Sequence, residues 1–167
     1  SKILSNLTSI SYATYLLELT NQVIKQSESN EIFQLLRSGL DKINDGFSPF
    51  IITNILELKY LDYLGVRPNI DCCNLCGSNE NILTIDTQSG GFVCQNCYFE
   101  GYIVKDITIK LLRMFYYVDI DKISKIEIKK ENLTEINYFL EEYYEKYTGL
   151  YLKSKKMLEK ITNFVES

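Results

Sequence analysis

The chain contains no histidine and no tryptophan, and only two of its 167 residues are proline. Lacking histidine, it lacks the commonest general base, and no phosphate-binding loop or base-activated nucleophile takes its place, so the pattern does not support catalysis. Scarce proline, with 46% apolar and 24% charged residues, describes an ordered globular protein rather than a linker or tail. Positive charge is not in excess either. The formal net charge is −4, which argues against this chain being, by itself, a strong nucleic-acid binder and leaves room only for a local basic patch. No apolar run approaches the ~18 residues a bilayer span requires, and no charged-then-apolar leader opens the chain, so a cytosolic protein without membrane attachment is expected. The opening "SKILSNLTSISYATYLLEL" has no initiator methionine and is already in a helical pattern, which predicts that an upstream part precedes it.

What is present is cysteine, in an ordered arrangement. A chain of this length buries roughly 68–70% of its unfolded surface and needs no disulfide staple, and a reducing cytosol keeps thiols free, which directs paired cysteines toward metal ligation. "CCNLCG" and "VCQNCY" supply two pairs, Cys73 and Cys76, then Cys94 and Cys97, in the pattern C-x2-C-x17-C-x2-C. Zinc sites use ~15–20 residues between such pairs. Two residues between thiolates let one tight turn aim both sulfurs at a common point, and two such turns joined by a hairpin complete a tetrahedron with Zn–S near ~2.3 Å. Gly77 suits a turn needing positive φ; Tyr98 stands at the matching place in the second turn, so the halves are not equivalent.

Four thiolates leave zinc no open position, so one structural zinc per chain is expected, with no water to activate. Such binding contributes about 10–16 kcal/mol in apparent terms, far more than a short β insert gains from its own core. A one-iron, four-thiolate site uses the same ligands, and small buried thiols remain the bland alternative. Cys72 is left over: beside Cys73 its side chain should point away as a free thiol, although an exchange of ligand roles between the two stays open.

Helical patterns dominate the rest. Ile3, Leu4, Leu7, Ile10, Leu17 and Ile24 form a stripe in the first segment, and Ile32, Leu35, Leu36, Leu40 and Ile43 form a second. The best-defined helix is "SPFIITNILELKYLDYLG", with Ser48 placed to cap, Pro49 at the first position and Gly65 past the end. "NILTID" and "GGFVC" read as strands joined by a turn, bracketed by the cysteine pairs. Helix resumes from Asp106 through Ile107, Leu111, Leu112 and Phe115, again through Leu133, Ile136, Phe139, Leu140 and Tyr143 to Gly149, and finally over about Ser154 to Val165. The expected fold class is mainly α, a helical domain with a small β zinc-ribbon insert: residues 1–68 as the first helical half, 69–100 as the insert, and 101–167 as the second half packing on the first.

Three segments resemble the bacterial recombination and repair family RecO: "LELKYLDYLGVRPNIDCCNLCG", a helix ending in Leu-Gly, then proline, then the first cysteine pair; "GGFVCQNC" at the second pair; and "YTGLYLKSKKML" near the end. Their order and spacing agree over most of the chain. The resemblance implies a non-enzymatic mediator of DNA repair and recombination, cytoplasmic and nucleoid-associated, that helps RecR load RecA onto single-stranded DNA coated by single-stranded-DNA-binding protein, and that supports strand annealing. It also implies an oligonucleotide-binding barrel ahead of the helical part, carrying much of the DNA contact. Within this chain it suggests a docking surface for the acidic, apolar tail of the single-strand-binding protein, for which Leu58, Lys59 and Arg67 are candidates, although a core leucine beside a solvated charge is the reading their pattern fits better. Lys153, Lys155, Lys156 and Lys160 form the strongest basic cluster, a candidate for phosphate contact or else a charged helix face balanced by Glu159. Tyr143, Tyr144, Tyr147 and Tyr151 invite a base-stacking reading, but at helical spacing beside Phe139 and Leu140 they fit core better. The alternative function is a zinc-ribbon adaptor in transcription or RNA-associated complexes.

Overall fold

Apolar spacing of three and four residues produces five helices: α1 Lys2–Ile24, α2 Asn30–Asn44, α3 Pro49–Tyr63, α4 Asp106–Tyr117 and α5 Lys130–Thr148. Between α3 and α4 lies one antiparallel hairpin, β1 Ile82–Asp86 with β2 Gly91–Cys94. The structure, a computed structural model, describes residues 2–150 together with Lys155, Leu158 and Lys160, which are helical. The remainder of the last expected helix, Ser154 to Val165, lies outside the described residues. The architecture is mainly α with a small β insert.

α3 is the axis of the body. Ile52, Ile55, Leu56, Leu58, Tyr60 and Leu61 are all fully buried, and the helix packs against α1, α2, α4 and α5. Its ends follow from sequence. The Ser48 hydroxyl accepts from the Ile51 N–H at 3.4 Å with Pro49 following it, and after Gly65 the Val66 N–H returns to the Leu61 carbonyl at 3.0 Å, closing the last turn.

Two helices face the core differently from the pattern expected. On α1, Leu7, Ile10 and Leu17 are 49%, 63% and 50% exposed, and the buried face is Tyr12, Tyr15, Leu16, Leu19 and Val23. α1 is apolar on both sides, so periodicity alone selects two stripes, and packing against α3 decides between them. On α4, Ile107 is 52% exposed while Thr108, Ile109, Leu112 and Phe115 turn inward. α5 buries Ile136, Phe139, Leu140, Tyr143 and Tyr144 as its spacing predicts.

Two buried carboxylates organise polar contacts inside this core. Glu57 Oε2 accepts from the Tyr15 hydroxyl at 2.7 Å, Oε1 accepts from Asn54 Nδ2 at 3.1 Å, and Lys155 Nζ donates to both oxygens at 2.8 and 2.7 Å. Desolvating two ions costs several kcal/mol each, and complete hydrogen bonding of this kind is what offsets it. On α5, Glu135 accepts from the Thr108 hydroxyl at 2.6 Å, the Tyr102 hydroxyl at 2.6 Å and the Lys105 N–H at 3.1 Å. It thereby caps the start of α4 from a neighbouring helix, where Lys105 offers no side-chain cap. Burial opposes ionisation of Glu135, but these donors outweigh it and hold its pKa below the ordinary carboxylate value.

Candidate metal centre

The hairpin brings the two cysteine pairs together because its register sets Cys94 opposite Ile82 at the open end, next to the turn carrying Cys73 and Cys76. Asn69 builds that turn. Its Oδ1 accepts from the N–H groups of Asp71 and Cys72 at 3.1 and 3.2 Å, and its backbone bonds both Gly90 and Phe92 at 2.9 and 2.8 Å. A Cβ on Gly91 would lie 2.2 Å from the Asn69 carbonyl oxygen, so only glycine lets the first turn lie against β2. In the first knuckle the Gly77 N–H bonds the Cys73 carbonyl at 2.9 Å with φ +81°; in the second, Tyr98 N–H bonds the Cys94 carbonyl at 3.0 Å.

The sulfurs of Cys73, Cys76, Cys94 and Cys97 all lie within 4.8 Å of one another, and those of Cys76 and Cys94 are 3.7 Å apart. A tetrahedron with metal–sulfur bonds near ~2.3 Å has edges of about 3.8 Å, so the donor set fits a four-thiolate ion. All five cysteines are free thiols. Cys73 and Cys94 are buried, Cys97 is half-buried and Cys76 is exposed, which sets the cluster at the edge of the insert. Burial opposes ionisation of Cys73, yet backbone N–H groups of Cys94, Cys76 and Leu75 lower its pKa to about 6. Hydrogen bonds with Cys76 and Cys94 push the Cys97 thiol up to about 12. A divalent cation among the four sulfurs would favour the thiolate form of each. Cys72 stands outside the cluster, with its sulfur 3.5 Å from Asn69 Nδ2.

The residues expected to meet a partner divide. Leu58 is fully buried, which corrects its candidacy for a surface and leaves the core-leucine reading: the face of α3 that carries it is covered by neighbouring helices. Lys155 is corrected likewise, since at 1% exposure its ammonium belongs to Glu57 rather than to phosphate. Lys59 is half-buried and donates to the Tyr116 carbonyl at 2.7 Å, and burial lowers its pKa. Arg67 keeps an exposed face while bonding Asp71 at 2.8 Å and lying over the Tyr116 ring at 4.4 Å. Lys160 is exposed; Lys153, Lys156 and Tyr151 lie outside the described residues. Tyr143 and Tyr144 are core residues and Tyr147 is half-buried, and the three hydroxyls reach backbone carbonyls: Tyr143 to Val66, Tyr144 to Glu57 and Tyr147 to Thr87. Asn69 and Gly91 escaped sequence reasoning; the "GG" before "FVC" was the available signal. Arg113, which donates to the Ile70 carbonyl at 3.4 Å and lies over the Phe92 ring, left none.

A helical body with a four-cysteine hairpin inserted between its third and fourth helices defines the class: a zinc-ribbon-type scaffold. Residues 4–156 match the family described as Recombination protein O C terminal. A DNA repair protein RecO of Bacillus velezensis is 35% identical over 154 residues, covering 90% of this chain and 60% of the relative. That of Bacillus subtilis is 32% identical over the same coverage, and one from Listeria monocytogenes is 32% identical over 166 residues, 96% of this chain and 65% of the relative. The chain belongs to the RecO C-terminal family, and it spans about 60% of the length of the Bacillus relatives it matches. The transcription or RNA adaptor alternative has no support beside this match. Among the described residues, no helix is long and apolar enough to cross a membrane.

Proposed function

We propose that this chain is the scaffold and docking part of a DNA repair and recombination mediator, working with RecR to load RecA onto single strands coated by single-strand-binding protein and to support strand annealing, without catalysis of its own, in the cytoplasm at the nucleoid. The observation that carries this reading is the family match over residues 4–156 together with the four clustered cysteines. One structural zinc, held by Cys73, Cys76, Cys94 and Cys97, would lock the hairpin and supply no reactive water. In this reading residues 69–100 are a zinc-ribbon insert between helical halves 1–68 and 101–167.

The chain's own residues orient rather than react. Arg113 and Asn69 fix the hairpin to α4 and to its own first turn, and Arg67 and Lys160 keep exposed charge for an acidic tail or a phosphate. Lys153 and Lys156 belong to the same proposal for phosphate contact. The test is fluorescence anisotropy of a labelled acidic tail peptide of the single-strand-binding protein, with RecR binding measured alongside. Saturable binding of either, weakened by salt, is expected; no binding of either would overturn the docking role.

A further inference from the structure

The face of α5 turned toward β1 has an acidic, aromatic character that zinc binding and DNA contact leave unused. Ile85, Val104 and Phe139 form the floor of a groove of about 420 Å³, and Tyr102 and Tyr138 form its walls. Those two rings are 64% and 61% exposed, a large aromatic area to leave in water beside an apolar floor. Asp86, Glu135 and Glu142 line the same groove, and among the described residues no lysine or arginine does. A second cleft of about 430 Å³ continues it, sharing Asp86, Thr87 and Glu142 and adding Glu145. Its one cation, Lys146, is engaged by Gln88 and lies over the Tyr147 ring.

Two of these carboxylates are held in place by donors. Asp86 Oδ2 accepts from the Ser89 N–H and hydroxyl at 2.9 and 2.7 Å, and Glu135 is fixed by its three donors. Thr87, only 7% exposed, lines both clefts with its edge, and its hydroxyl is turned into the protein without a hydrogen-bond partner among the described residues.

We propose that the groove between β1 and α5 is a docking site for a basic, apolar peptide segment of a protein partner. An apolar side chain fills the floor between Tyr102 and Tyr138, and a lysine or arginine lies toward Glu142 and Glu145. Charge selects this occupant: the acids attract a cationic segment and repel a phosphate backbone. Tyrosine walls around an apolar pocket are the usual form of an interface anchor. This goes beyond the reading above and requires no contact with DNA.

A random peptide library displayed on phage, selected on the whole chain and counter-selected on a Tyr138→Ser/Glu142→Lys variant, tests it. Both substituted side chains are exposed, so unchanged far-UV circular dichroism and metal content should accompany the variant. Enriched peptides are expected to place lysine or arginine beside leucine, isoleucine or phenylalanine. A synthetic copy should bind the unaltered chain about tenfold or more tighter than the variant, and more weakly as salt rises. Acidic peptides, no enrichment, binding indifferent to the variant, or a dimer of the unaltered chain that the variant dissociates in sedimentation would each overturn it.

Discussion

α3 alone buries ten residues, from Ile51 to Leu61, whereas the hairpin's strands of five and four residues have little beyond Ile85, Phe92 and Val93 to bury. Each fully buried aliphatic side chain contributes about 1.5–3 kcal/mol, so the body is held by its own interior. The hairpin is not. Its fixed points are four sulfurs, the Asn69 side chain, a glycine contact, and Ile85 and Phe92 set into the edge of the helical core, and an isolated two-stranded hairpin is marginal in water. Two regions of one chain thus rest on different chemistry, and loss of the metal should loosen the hairpin well before the helices.

The sharpest division comes from removing a sulfur. Cys94→Ser is expected to release the metal, forfeiting most of a binding free energy of about 10–16 kcal/mol in apparent terms, and to expose the hairpin amides to hydrogen exchange while leaving most of the helical circular dichroism. Loss of the helical signal as well would show that the insert is part of the core. The converse is Lys155→Met. Stranding the Glu57 carboxylate should cost about 3–5 kcal/mol in urea denaturation, with metal content unchanged, and the double variant with Glu57→Gln should recover part of that loss.

The body was largely legible in sequence, for reasons visible in particular residues. Ser48, Pro49 and Gly65 bound α3 where capping chemistry places them, and the cysteine spacing anticipated which four sulfurs converge. Choice of face was harder. On α1, Leu7 and Ile10 repeat as regularly as Tyr12 and Leu16, and only the position of α3 decides which side is buried. Leu58 and Lys155 read as surface candidates because contacts across 98 residues of chain, such as Lys155 to Glu57, have no local signature. Asn69 was silent for the same reason: its role depends on Gly91 reaching it from β2.

Smaller effects sharpen the contrast at the edges. Glu135 has a depressed pKa in the fold, so its stabilisation is present above the unfolded value of about 4.3 and is lost as pH falls through the folded value. Glu135→Gln should lower stability near neutral pH by about 1–3 kcal/mol and flatten the acid limb of the stability curve, a comparison thermal melts at stepped pH will make. The smallest change is Ser48→Ala, which removes the α3 cap and should cost about 1 kcal/mol, visible as a reduced urea midpoint with an unaltered slope.

The central claim is that metal holds the hairpin while packing holds the helices, and it is tested most directly by elemental analysis with a thiol count before and after chelation, circular dichroism being recorded on the same samples. The account predicts one zinc per chain, one thiol reactive throughout (Cys72), four more released by the chelator, and helical signal retained. No metal, with all five thiols reactive from the outset, would contradict it.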